Sequence, residues 1–312
     1  MKDSKPSPIL LVLAFTAIYF VWGTTYMANL FGLEGMKPFV LSCLRYLAAG
    51  AILSAWCIYR KLTWPDRGSI KVLVISGIIM LVGGSAMVVY AEQYISSGYA
   101  AVIIATEPLW FVLLDRKRWS AYFSNKRIIA GLLIGFAGIA LFSGFSPASN
   151  GGHQDATHKL LGTIIVLVSA ILWVIGTLYA KGKTNPGSSN VANTAVQLIA
   201  AGIFSGLVGI VNGEWLQFEP GEVSTRAWGG LIFLIVMGSL VAYLAFTWLV
   251  TVQPPALVST HTYVNPIVAI LIGWLVANEK IVFTQVIALV IVLTGVLLTT
   301  VQPAKLQAQT AN

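Results

Sequence analysis

Apolar runs of about twenty residues, parted by short polar breaks, recur from one end of the chain to the other. Ten can be marked, at approximately 8–29, 38–59, 70–90, 98–114, 127–145, 160–180, 190–211, 228–250, 255–277 and 281–301. Each is long enough to cross the hydrocarbon of a bilayer as a helix. The longest polar gap, SPASNGGHQDATHK, has fourteen residues, too few for a soluble domain. Lipid offers no partner to a backbone amide, so the spans must be helices and whatever the chain does must happen among them. The alternating ten-residue segments of a membrane β-barrel are not found. The expected fold is an all-α integral membrane protein with ten transmembrane helices.

Composition agrees: 57% of the 312 residues are hydrophobic and 10% charged, where a soluble domain carries about a quarter charged. The basic residues orient the spans. With the N-terminus in the cytoplasm, fourteen of the nineteen fall inside (Lys2, Lys5, Arg60, Lys61, Arg67, Lys71, Arg116, Lys117, Arg118, Lys126, Arg127, Lys181, Lys183, Lys305). Four fall outside (Lys37, Lys159, Arg226, Lys280), and Arg45 lies within the second span. This is a positive-inside pattern with both termini cytoplasmic. The net charge of +8 therefore reports topology and anionic headgroups, and gives no reason to invoke nucleic acid. The leader MKDSKPSPILLVLAFTAIYFVWG begins like a signal peptide, but its apolar part is too long and lacks a small-x-small site, so it reads as an uncleaved first span. Cys43 and Cys57 share one predicted helix, about 20 Å apart by helical rise, and cannot bond each other.

The chain also repeats. RYLAAGAI (45–52) matches QLIAAGIF (197–204), TEPLWFVLL (106–114) matches VNPIVAILI (264–272), and GLLIGFAGIAL (131–141) matches ALVIVLTGVLL (288–298), at offsets of 152, 158 and 157. The shared order argues for an internal duplication. The expected division is a first repeat over 1–148, an extracytoplasmic linker over 149–157, a second repeat over 158–302 and a cytoplasmic tail over 303–312. Five spans per half is an odd number, so the second half enters the membrane from the opposite side and the repeats are inverted. Glu107 and Asn265 then both arrive near the midplane, where inverted-repeat transporters hold their substrate.

On FVWGTTY (20–26), LRYLAAGAIL (44–53), SSGYAAVIIATEPL (96–109), TYVNPIVAILIG (262–273) and the closing GVLL (295–298), the chain resembles the EamA-type ten-helix transporters of the drug/metabolite transporter superfamily. The resemblance covers roughly residues 8–301. It implies export or exchange of small organic solutes across an inner membrane, through a central cavity bounded mainly by helices one, three, four, six, eight and nine. Glu107 departs from the apolar residue expected of the family there, so its role has to be argued from physics.

A carboxylate at the centre of a bilayer costs several kcal/mol when charged and normally faces a bundle interior or an aqueous cavity. For Glu107 the functional reading is a proton-coupling or cation-binding site, and the bland one a protonated acid bonded to a neighbouring helix. Pro108 removes a helical hydrogen bond and frees the carbonyl of residue 104. Its pairing with Pro266, as Glu-Pro and Asn-Pro at matched positions, is the informative part. Asn265 follows His261 by four residues and shares its helix face, so His261 is a candidate for a proton relay with Glu107; interhelical hydrogen bonds are the bland alternative. Candidate cavity walls are Trp22 and Tyr26, in a stripe with Tyr19, and Trp110, which shares a face with Glu107. Tyr90, Trp173 and Tyr243 lie on other cavity helices and complete the set.

Arg45 lies some seven residues inside the second span and reads as a structural residue that snorkels or pairs with Glu34 or Glu92; its repeat partner is the neutral Gln197. His153 and His158, in or beside a glycine-rich loop, make no metal site. Gly131 and Gly135 of GLLIG, with Gly138 and Gly295, permit close helix contact; packing within the chain is the default and a homodimer is left open. The expected activity is secondary transport of amino acids, metabolites or drug-like compounds by alternating access, with proton coupling through Glu107. An uncoupled facilitator or channel is the alternative. A membrane-embedded enzyme is disfavoured: no serine elbow, paired-aspartate signature or H-E-x-x-H is present, nor a phosphate loop for ATP-driven transport. No cofactor or metal is implied; the expected partners are the small-molecule substrate and the lipid bilayer.

Overall fold

The structure is a computed structural model and describes residues 6–116, 119–145, 156–185, 187–253, 255–277 and 283–300. Every regular element among them is helical. Ten long segments follow the ten apolar runs. The first half comprises α1 (Pro8–Leu33), α2 (Pro38–Tyr59), α3 (Arg67–Ala91), α4 (Ser97–Leu114) and α5 (Lys126–Phe145). The second comprises α6 (Ala156–Ala180), α7 (Asn190–Val211), α8 (Thr225–Val252), α9 (His261–Ala277) and α10 (Phe283–Thr300). Residues 149–155 of the expected linker, the tail over 303–312, and Lys117, Arg118, His153 and Lys280 lie outside the described residues.

The helix starts are written locally. Pro8 and Pro38 open α1 and α2, where a missing N–H costs nothing. Side chains of Asp66, Ser96 and Ser224 accept from the backbone N–H of Ser69 (2.7 Å), Tyr99 (3.3 Å) and Ala227 (3.1 Å), capping α3, α4 and α8.

The packing obeys a pseudo-twofold. α2 lies along α7 and α5 along α10, the two most extensive pairings, each joining equivalent helices of the two halves. α1 packs on α8 and α9 as α6 packs on α3 and α4. The glycines seal the second of these pairings. A Cβ on Gly295 of α10 would lie 2.6 Å from the Gly135 Cα and 2.7 Å from the Gly131 carbonyl oxygen, both backbone, so the GLLIG spacing serves contact within the chain.

Three spans contain a stretch of wider, π-helical backbone: Ala17–Val21 in α1, Ile78–Ala86 in α3 and Leu234–Tyr243 in α8. The last two start 156 residues apart, between the repeat offsets read from the sequence, so the duplication extends to an irregularity of the backbone. Such segments leave carbonyls without their usual helical partner. The Leu81 oxygen accepts from the Tyr46 hydroxyl (3.1 Å) and the Gly238 oxygen from Trp22 Nε1 (3.3 Å).

The expected kinks differ between halves. α4 breaks at Ala105–Thr106 and restarts at Glu107. α9 instead runs helical through Pro266, and its interruption falls at Ser259–Thr260, just before His261. Proline is tolerated in the first turn, which is how α4 uses Pro108. α4 is also the most enclosed span, with 83% of its window buried against 28% for α1.

Candidate functional site

α1 brings one face to the middle of the bundle. Trp22, Tyr26 and Asn29 stand at i, i+4 and i+7, and Thr25 beside them bonds back to the Trp22 carbonyl (2.7 Å). Opposite stand Gly84 and Ser85 of the π-helical stretch of α3, then Ile104 and Glu107 of α4. Trp173 of α6, Ser239 and Tyr243 of α8, and His261 and Asn265 of α9 close the circle. Together they enclose a cavity of about 80 Å³. Both halves contribute, on the six helices that the family resemblance implied, with Arg45 of α2 added.

The break in α4 positions Glu107. Thr106 Oγ1 donates to the Ile103 carbonyl (2.7 Å) and itself accepts from Trp110 Nε1 (3.0 Å), so the turn is braced from behind. Pro108 has no N–H for the Ile104 carbonyl. Glu107 is buried, and its Oε2 has no hydrogen-bond partner. Two other cavity atoms share that condition: Asn29 Oδ1 and Trp173 Nε1. Buried polar groups are ordinarily satisfied, and each orphan costs about 1–3 kcal/mol. Two acceptors and one donor thus lack partners on three residues that line one cavity.

His261 and Asn265 serve differently. His261 Nδ1 lies 2.9 Å from the Val258 carbonyl oxygen, so that nitrogen carries the proton, and the ring packs on Trp22 (4.9 Å between centroids) and Phe246 (6.1 Å). With its amide nitrogen assigned toward α1, Asn265 donates to the carbonyls of Tyr19 (2.8 Å), His261 (3.0 Å) and Ile18 (3.2 Å). Ile18 and Tyr19 belong to the π-helical stretch of α1. Asn265 thus satisfies carbonyls that the wider turn leaves over, and the Tyr19 hydroxyl adds a 2.6 Å bond to Thr260 Oγ1. α1 and α9 are clasped along one side of the cavity.

Tyr243 leads out of it. Its hydroxyl donates to Gln197 Oε1 (2.9 Å), and Gln197 Nε2 donates to Ser76 Oγ (2.9 Å). Gln197 lines a second, larger space of about 540 Å³ beside the α6–α7 loop, with Asn190, Asn193, Thr247 and Lys181. Between the two spaces stands a wall of rings. Phe246 touches Trp22 (5.2 Å), Trp173 (5.2 Å) and Tyr243 (6.4 Å, stacked).

Trp22, Tyr26, Glu107, Trp173, Tyr243, His261 and Asn265, expected from the sequence, therefore share one cavity. Tyr90 and Trp110 do not line it: Tyr90 packs on Phe39 and Tyr94, and Trp110 on Phe136. Both expectations took a residue's helix, or a distant face relation, as a guide to which side it presents. Arg45, expected as a structural residue near the outer leaflet, is buried on the cavity; its Nε donates to Ser239 Oγ (2.9 Å) and Glu92, one of its two expected acids, lies within electrostatic reach. Glu34, one partner considered for it, pairs instead with Arg226 (3.1 Å). Asn29 was missed, although its spacing from Trp22 and Tyr26 marked it.

Residues 9–144 and 160–301 each match the model of the EamA-like transporter family. The chain belongs to that family. Among its relatives is the Escherichia coli K12 protein described as an uncharacterized inner membrane transporter, YedA, 31% identical over 92% of this chain and 89% of that one. An uncharacterized transporter of Archaeoglobus fulgidus is 26% identical over 93% and 96% of the two chains. One solved crystal structure, 20% identical, shares the fold with a TM-score of 0.63 over 94% of this chain and 97% of that chain. The EamA-like chain described here is accordingly a multi-pass membrane transporter of the drug/metabolite type.

Proposed function

We propose that the protein is a secondary exporter or exchanger of a small organic solute, working by alternating access in the inner membrane with both termini in the cytoplasm. The two repeats, 1–148 and 158–302, rock about the central cavity, and Glu107 holds either a proton or the solute. One observation supports this reading most: a buried carboxylate oxygen with no partner, facing a cavity that both halves enclose. Buried carboxylates that only hold a fold together are ordinarily given a donor. The aromatic wall separates the cavity from the larger space beside the α6–α7 loop, which is the cytoplasmic end by the basic-residue pattern, so entry from that side needs the wall to part.

The test is flux in proteoliposomes for a labelled panel of amino acids and amines, with and without an imposed pH gradient. Gradient-driven flux in the wild type, flattened in Glu107→Gln with the protein still folded, is expected. Flux indifferent to both gradient and substitution would leave a facilitator and reduce Glu107 to a group beside a helix break.

A further inference from the structure

The charges around the cavity indicate what enters it. Arg45 of α2 has Glu92, the residue just past α3, within electrostatic reach, and Glu92 also bears on Tyr26. Glu107 of α4 bears on Tyr26 as well, yet no ion pair reaches it among the described residues. The other titratable groups facing it are Tyr243 of α8, whose hydroxyl is given to Gln197, and His261 of α9, whose Nδ1 is given to Val258. Arg45 lines the same cavity with its Nε given to Ser239, and no ion pair joins it to Glu107 among the described residues. The cavity's free acceptors, Glu107 Oε2 and Asn29 Oδ1, suit an ammonium group, which has three donors and no acceptor. Beside them Trp22 meets Trp173 and His261 ring to ring at 5.5 and 4.9 Å. Such faces accept an apolar ring or the flank of a cation.

We propose that the solute is a small monocationic amine carrying one apolar ring, its ammonium on Glu107 and Asn29 and its ring on the Trp22, Trp173 and His261 faces. A cavity of about 80 Å³ holds roughly half a dozen waters, which sets the size at a single ring. The unpartnered Trp173 Nε1–H gives a hydroxyl on that ring a donor to meet. A carboxylate on the solute would have to approach Arg45 within the field of Glu92, which lies within electrostatic reach of that guanidinium. Amines are thus selected over the zwitterions and acids of the same skeleton. The inference deepens the transport reading, and rests on it for flux but not for binding.

Isothermal titration of the purified full chain with benzylamine, phenylglycine and benzoate separates the three charge types on one ring. Expected is the order benzylamine, then phenylglycine, then benzoate, with at least tenfold between the first two, and at least a tenfold loss of benzylamine affinity in Glu107→Gln. Phenylglycine or benzoate binding as tightly as benzylamine would overturn the charge assignment. An affinity for benzylamine within twofold of wild type in Glu107→Gln would overturn the residue assignment. Should that variant not fold, Glu107→Asp keeps the charge, and must keep the order for the assignment to survive. Benzylamine binding without flux of any kind would remove the transport reading and leave the amine site standing; flux of the panel without benzylamine binding would do the reverse.

Discussion

At the scale of single residues, the cavity separates side chains that hold the fold from those left for a ligand. Asn265, expected as a ligand group at the midplane on the face of His261, lines the cavity but gives its amide N–H groups to carbonyls of α1 and of its own helix. Asn265→Ala should therefore lower thermal stability in detergent, by about 0.5–2 kcal/mol, with the amine affinity of the folded fraction kept. Loss of affinity at unchanged stability would reverse that assignment. Glu214 is the opposite case, a buried acid outside the spans. Its Oε2 accepts from the backbone N–H of Phe39 (2.8 Å) and Val40 (3.1 Å), tying the α7–α8 connection to the start of α2. Burial pushes its carboxyl up from the ordinary value of 4.5, outweighing those bonds and the nearby Lys37. A raised acid contributes stability that is full below its unfolded value, about 4.3, and is lost as pH rises through its folded value. Wild type should lose ground to Glu214→Gln as pH rises from about 4 to 7; melting curves at several pH values check the sign, and a gap that stays constant would show the acid to be unperturbed.

At the scale of elements, spans and repeats were legible because each is written in many residues at once. Hydrophobic length marks a span whatever its partners, and the shared order of three matched segments marked the duplication. Which face a residue presents was legible only where the backbone is regular. Trp22, Tyr26 and the missed Asn29 obey the helical spacing beyond the π-helical stretch of α1. Tyr90 follows the π-helical stretch of α3, which shifts the register of everything after it, and no local sequence signal announces that stretch. Arg45 shows the same limit: depth along a helix does not give the side, and it lines the cavity. Close helix contact is the better-specified feature. Gly295 meets the backbone of Gly135 and Gly131, which cannot swing aside as a side chain can. Gly295→Val should destabilise the chain by about 1–3 kcal/mol by forcing α5 and α10 apart, while Gly221→Val, where a Cβ would meet nothing within 4 Å, should leave the melting temperature near wild type. Equal effects of the two would show the α5–α10 seam to be loose.

At the scale of the whole molecule, a pseudo-twofold relates the halves, yet the site on it is asymmetric. The halves match in pairing order and in the π-helical stretches of α3 and α8, whereas Glu107 faces no second carboxylate, and Arg45 of the central cavity has Gln197 as its counterpart beside the other space. Shared architecture lets two conformations be nearly equivalent in packing, and unlike chemistry gives the solute one way to lie in both. Exposure of one site to the two faces in turn requires true inversion. Leu62 and Glu219 occupy equivalent connections, α2–α3 and α7–α8, 157 residues apart. The α2–α3 connection touches the α6–α7 loop, where Ser189 N–H donates to the Thr63 carbonyl (2.9 Å) and Asn185 N–H to Ser69 Oγ (2.8 Å), so those two loops lie at one end. Single cysteines at 62, 185 and 219, in a background with the buried Cys43 and Cys57 changed to alanine, should then label as two classes. Leu62→Cys and Asn185→Cys should react from the cytoplasmic side and Glu219→Cys from the other. Labelling of positions 62 and 219 from the same side would make the repeats parallel, and a cavity built from their equivalent helices could not present itself to the two faces of the membrane in turn.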